Sequence, residues 1–141
     1  FSQFNFCRKY KTEIRPLFKF NRSILVKTFE LPTLMATKIK AVLQRKWVKT
    51  DKQGKVTVKV KGRDYFDLLW YLERGIKPNL NCLENFANLA ELKQRLLEIV
   101  SRVDARSIRL DLEALIDNRN YVEKLSKEMK EILLRAIKEK L

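Results

Sequence analysis

Only three glycines and three prolines punctuate the 141 residues, and the last of them is Pro78. A chain so poor in breakers forms long regular elements joined by few tight loops. After Pro78 the apolar positions recur at helical intervals. Asn81 followed by Glu84 has the spacing of a capping box and predicts a helix running to about Val103. Asp104 is placed to cap a shorter helix through Leu115, and a last helix is expected from about Tyr121 to Leu141. In that last helix Leu125, Met129, Ile132, Leu133, Ala136 and Ile137 form one stripe. Opposite charges four apart (Glu123/Lys127, Lys124/Glu128, Glu131/Arg135) line the other side.

The first part of the chain mixes periods. Lys9 to Arg15 reads as a strand, and Ser23 to Glu30, rich in β-branched and aromatic residues, reads as a better one. Pro32 suits the first turn of a helix, where its missing N–H costs nothing. Leu34, Met35, Ile39, Val42 and Leu43 carry that helix to about Trp47. A turn around Asp51 to Gly54 leads into the alternating segment Val56 to Val60. A second helix follows from Arg63 to Arg74, apolar around nearly its whole circumference and therefore expected to be buried. Gly75 and Pro78 stop it. The expected class is α+β: a few N-terminal strands followed by a helical majority. Residues 1–80 would hold the strands and two helices, with a helical bundle of residues 81–141 packed on them in one continuous domain.

Charge narrows the function. The chain carries a net +14, but residues 1–83 hold 19 Lys/Arg against 6 Asp/Glu, while residues 84–141 hold 12 against 11. An asymmetry of this size either solubilises one surface or turns one half toward a polyanion, be it nucleic acid, a nucleotide or an acidic partner. No apolar run approaches the ~20 residues of a membrane span, and no secretory leader is legible. Phe1 stands where Met would begin a chain, so processing or truncation is expected to have removed what came before. With no histidine and only Cys7 and Cys82, zinc sites of the Cys/His kind and serine–histidine triads are excluded. The two cysteines read as thiols of a reducing cytoplasm.

Two constellations can carry chemistry. Asp64 and Asp67, three apart, project from one face of an otherwise apolar helix, behind Lys61-Gly62-Arg63. Carboxylates there must be paired, hydrogen-bonded or bound to a cation. The plainer alternative leaves Asp64 favouring the helix N-terminus and Asp67 paired with a neighbouring base. Lys38 and Arg45, seven apart on the first helix, share another face. Lys38 either snorkels from an apolar boundary or reaches a phosphate as a point charge. Glycines are too few for a phosphate-binding loop. The aromatic and basic residues between Phe4 and Phe20 suit single-stranded RNA or a strand pair under a basic surface equally well.

Taken in order, the segments Leu31-Pro32-Thr33-Leu34-Met35-Ala36-Thr37-Lys38-Ile39-Lys40-Ala41-Val42-Leu43-Gln44-Arg45 and Lys61-Gly62-Arg63-Asp64-Tyr65-Phe66-Asp67-Leu68 are familiar. They resemble the lysine helix and the Lys-Gly-Arg-Asp, aromatic, Asp motif of AbiEii/AbiGii-type nucleotidyltransferase toxins. These belong to abortive-infection, type IV toxin–antitoxin systems and are related to polymerase-β-like transferases. The resemblance covers about residues 10–80 and corresponds to the C-terminal part of the family. It implies transfer of a nucleoside monophosphate from an NTP to an acceptor such as tRNA, with Mg2+ on the phosphates, in the cytoplasm, alongside an antitoxin partner. By position, Lys38 would contact the triphosphate, with Arg45 and Arg63 beside it. Asp64 would position or deprotonate the acceptor hydroxyl, and Asp67 would support that geometry.

The family's metal-binding motif, a Gly-Ser followed by Asp, has no counterpart, since residues 1–30 contain neither Gly nor Asp. The expectation is a chain that is inactive alone and holds neither Mg2+ nor NTP tightly. The competing expectation is a non-catalytic basic module gripping RNA or an acidic antitoxin.

Overall fold

The computed structural model describes residues 10–44, 49–58 and 61–141. Two strands, β1 (Thr12–Lys19) and β2 (Arg22–Phe29), pair antiparallel from Thr12↔Phe29 to Lys19↔Arg22. Their two-residue connection has positive φ at both Phe20 (52°) and Asn21 (58°), the geometry of a type I′ hairpin turn. The first strand therefore starts and ends later than the expected Lys9 to Arg15, because the turn fixes the register and draws Pro16 to Lys19 into the ladder.

Helix α1 (Leu31–Gln44) follows at once, with Pro32 in its first turn. Of the expected C-terminal extension of this helix, Arg45 to Trp47 lie outside the described residues. Its first turn anchors the hairpin. Thr33 is fully buried, and its hydroxyl oxygen accepts the Lys11 N–H at 3.3 Å and the Asn79 side-chain amide at 3.2 Å. The Asn79 main-chain N–H also donates to the Pro32 carbonyl, at 2.9 Å.

A small hairpin, β3 (Lys49–Thr50) and β4 (Val56–Val58), turns where expected. The Asp51 carboxylate accepts the Gln53 and Lys55 amides, both at 2.9 Å, and Gly54 takes φ 79°. Lys59 and Val60 lie outside the described residues. Helix α2 (Gly62–Glu73) packs against α1 and is closed by Gly75 at φ 69°. The Gly75 N–H bonds the Leu72 carbonyl and the Ile76 N–H bonds the Tyr71 carbonyl, the two bonds of a Schellman stop.

The predicted cap at Asn81 is a correction. Residues Leu80–Cys82 form a single 3-10 turn, and helix α3 (Leu89–Ser101) starts seven residues later than the Asn81–Glu84 box implied. Asn88 and Glu91 make the actual cap. The Asn88 side chain accepts the Glu91 N–H at 3.0 Å, and the Glu91 carboxylate reaches back to the Ala87 N–H at 3.0 Å. The preceding segment is bent away from helix by the ties between Asn79 and the start of α1.

Helices α4 (Ala105–Glu113, capped by Asp104) and α5 (Arg119–Lys140, capped by Asn118) complete the chain. Helix α5 packs on α2, α3 and α4. Its buried stripe is Val122, Ser126, Met129, Leu133, Ala136 and Ile137, with Leu125 and Ile132 half-buried beside it. Two lysines collar its end: Lys77 donates to the Lys140 carbonyl at 2.6 Å and Lys93 to the Lys138 carbonyl at 2.6 Å. Each satisfies a carbonyl that the last turn leaves without an intrahelical partner.

The core joins Met35 and Ile39 of α1 to Leu68 and Leu72 of α2. Around them lie Leu92 and Leu96 of α3, Ile108 and Leu112 of α4, and Met129 and Leu133 of α5. The architecture is α+β, with an N-terminal strand pair and a helical majority. No described helix is long and apolar enough to cross a membrane.

Candidate functional site

The geometry starts at the N-terminus of α2. Lys61 precedes the helix and offers no side-chain cap. The missing cap comes from α4, where the nearly buried Asp111 accepts the Arg63 main-chain N–H at 3.1 Å. Close approach of the two helices depends on Gly62. A Cβ there would lie 2.9 Å from the Ile108 carbonyl oxygen and 3.1 Å from its Cα, distances that backbone cannot yield cheaply. Gly62 and Asp111 together set the direction in which α2 enters the core.

That direction carries Asp64 and Asp67 to α1. The Lys38 ammonium lies 2.9 Å from an Asp64 carboxylate oxygen and 2.9 Å from an Asp67 oxygen. One lysine thus bridges two carboxylates placed one helical turn apart. The three environments differ: the side chain of Asp64 is 4% exposed, that of Lys38 23% and that of Asp67 37%. Burial opposes the charge on Lys38. The hydrogen bonds to Asp67 and Asp64, with the fields of both carboxylates, outweigh it and hold the ammonium above its ordinary pKa.

Neighbouring phenols respond to the same cluster. Burial, helped by the Asp64 charge, pushes Tyr65 up to about 12. Burial and the Asp67 charge also raise Tyr71, against a smaller opposing effect of Lys38.

Three of the residues singled out by sequence, Lys38, Asp64 and Asp67, therefore meet. Arg63 does not join them through its side chain, which is exposed, although its amide fixes the helix start. Arg45 lies outside the described residues. The expectation of a helix buried on all sides is corrected: Tyr65, Leu68, Leu69 and Leu72 face the core, but Trp70 is 38% exposed. Asp111 was missed in the sequence. It sits among charged neighbours in Arg106 to Glu113, where it looks like any solvated acid, and only the packing of α4 across Gly62 buries it.

The cluster as it stands does not fit a divalent cation. The space between the two carboxylates holds an ammonium, and among the described residues no three carboxylate, thiol or imidazole groups gather into a metal site. What the arrangement offers is a cation held at the edge of the core, with one shielded and one accessible carboxylate. Such a cation can meet an anion, and such a carboxylate can accept a proton. A cavity of about 260 Å³ lined by Tyr10, Lys40, Leu43 and Phe86 borders α1 as well. Lys40 is about 200° around that helix from Lys38, so the cavity lies apart from the cluster. Cys82 is buried, and Cys7 lies outside the described residues.

A family model described as "Nucleotidyl transferase AbiEii toxin, Type IV TA system" matches residues 4–140. No curated protein and no solved structure matches the chain.

Proposed function

Because the chain belongs to the AbiEii family of nucleotidyl transferase toxins of type IV toxin–antitoxin systems, we propose that Lys38, Asp64 and Asp67 form the phosphate- and acceptor-handling side of a nucleotidyl-transfer site. The observation that carries this reading is the single ammonium held 2.9 Å from each of two carboxylates of unequal exposure. The substrate class is an NTP, the acceptor an RNA hydroxyl such as that of a tRNA end, and the setting the cytoplasm. The antitoxin is the expected protein partner.

In the proposed step the acceptor oxygen bonds to the α-phosphorus, and the bond from that phosphorus to the bridging oxygen breaks. Pyrophosphate leaves with the electron pair. Lys38 leaves the exposed Asp67 for a phosphate oxygen, where its positive charge meets developing negative charge. Asp67, relieved of its partner, accepts the hydroxyl proton. Asp64, shielded and still paired, keeps Lys38 within reach. This gives the accessible carboxylate the role of base and the buried one that of positioning residue.

Mg2+ would supply charge neutralisation on the phosphates, but no cluster among the described residues provides its ligands. Transfer is therefore expected only where metal-binding carboxylates are added to these residues, and not from this chain alone. There, Lys38→Ala and Asp67→Ala should each remove transfer while the circular dichroism spectrum stays unchanged. In the chain itself the test is equilibrium binding of labelled NTP. Lys38→Ala should weaken it at least about tenfold, and unaltered affinity in that variant would overturn the reading.

A further inference from the structure

The side of α2 turned away from the core carries a stripe of its own. Arg63, Asp67, Trp70 and Arg74 succeed one another at intervals of four, three and four, so all four lie within about 60° of helix circumference. The stripe runs about 16 Å along the axis and passes through Asp67, one of the two carboxylates on Lys38.

At its middle is a large aromatic side chain left partly in solvent. Trp70 is 38% exposed, and its ring is not loose. The Arg74 guanidinium lies over it at 4.0 Å from the centroid, and the Tyr71 ring meets it edge-on at 5.0 Å. Those two contacts fix the plane of the indole and leave part of it to water.

We propose that this stripe is the docking surface for a single-stranded RNA segment ending in the acceptor hydroxyl. A base stacks on Trp70 in a sandwich completed by Arg74. Arg63 and Arg74 neutralise flanking phosphates, and the strand's terminal hydroxyl lies at Asp67. Three observations favour a nucleic-acid strand over another occupant. Residues 1–83 carry a net +13, 19 basic against 6 acidic. A pre-oriented ring with a cation on it is the platform on which bases stack irrespective of sequence. The only acid of the stripe is the one that the transfer site uses. The proposal rests on the function inferred above, because it assigns the acceptor of that same site.

The test uses the intrinsic fluorescence of the chain, which has two tryptophans, Trp47 and Trp70. In a Trp47→Phe background, titration with a short single-stranded RNA should quench Trp70 saturably. An abasic ribose-phosphate oligomer of equal length should bind without quenching. Read by the anisotropy of a labelled RNA, Trp70→Leu should lower RNA affinity about tenfold, as loss of one stacked base does, and Trp70→Phe should retain most of it. Arg63→Ala and Arg74→Ala should each flatten the dependence of log affinity on log salt by about 0.7, the release from one single-strand phosphate.

The Trp70 and Arg74 substitutions should not change NTP binding, which reports on Lys38. Undiminished RNA affinity in Trp70→Leu, or equal quenching by the abasic oligomer, overturns the docking surface and leaves the transfer reading standing. Loss of the Lys38 effect on NTP, with the Trp70 effects intact, does the reverse. Circular dichroism confirms that each variant is folded, and the abasic comparison, which leaves Trp70 in place, carries the test if Trp70→Leu is not.

Discussion

Asp111 caps α2 from 48 positions beyond Arg63, its carboxylate taking that residue's main-chain N–H at 3.1 Å. The bond replaces the cap that Lys61 cannot supply, and it is possible only because Gly62 lets the two helices touch. Asp111→Ala should cost about 1–2 kcal/mol in urea denaturation, the range for a lost cap in a poorly solvated place. Gly62→Ala should cost about 1–3 kcal/mol through overpacking against the Ile108 backbone. Both should also weaken NTP binding, since they turn the helix that aims Asp64 and Asp67. Full stability in Gly62→Ala would mean that the close approach is not a constraint.

Removing the ammonium leaves a buried acid behind. Lys38→Met should destabilise the fold by about 1–3 kcal/mol, because Asp64 then loses a partner that water cannot fully replace. Lys38→Met combined with Asp64→Asn should recover most of that loss, while NTP binding stays defective. Chemical denaturation of the two single variants and the double variant yields the coupling. Additive losses would remove the pair from the stability of the fold.

Stability should fall on the alkaline side. Lys38, Tyr65 and Tyr71 all have folded-state pKa values above their ordinary ones, Tyr65 at about 12 against 10. A raised pKa stabilises the fold fully below the unfolded value and ceases to do so as pH climbs through the folded one. Melting temperature should therefore decline from about pH 10 upward. Tyr65 accounts for about 2 kcal/mol of that loss, and Tyr65→Phe should flatten the decline. Tyrosinate absorbance should show one phenol titrating near 12. A melting temperature indifferent to pH between 10 and 12 would contradict this.

The first hairpin turns on an unfavourable residue. Phe20 holds φ 52° while 86% exposed, a backbone region that a bulky side chain enters only at a cost. Replacing Phe20-Asn21 by Asn-Gly should stabilise the protein by about 1 kcal/mol, without moving the register. A lower melting temperature in that variant would show that the Phe20 ring, with Lys19 5.4 Å from its centroid, offsets its own strain.

Much of this could be read along the chain because it is local. Pro32 and Gly75 mark a helix start and a helix stop through their own backbone preferences. Strand β4 after Gly54 and the stripe of the last helix follow from period alone. Lys38, Asp64 and Asp67 were recognisable because a charge inside an apolar repeat needs a partner, and they supplied one another. What could not be read is what depends on contacts far apart in sequence. Asn81–Glu84 and Asn88–Glu91 have the same spacing, and the first pair follows directly on Asn79, which is tied to Thr33 and Pro32 from far along the chain. Asp111 has an unremarkable sequence setting and a buried, specific role. The stripe through Trp70 was hidden because the same aromatic content that buries one side of α2 decorates the other.

The lysine collar at the end of α5 makes a mechanical linkage. Lys77 grips the Lys140 carbonyl, and two residues on Asn79 is bonded to Pro32 and Thr33 in the first turn of the helix that bears Lys38. The tail of the last helix and the root of the ammonium-bearing one are thus fastened to a single short segment, Lys77 to Asn79. A pull at the tail is delivered to that root as traction on the segment, where an unfastened end would simply fray. The far end of the molecule is in this sense a handle on the site.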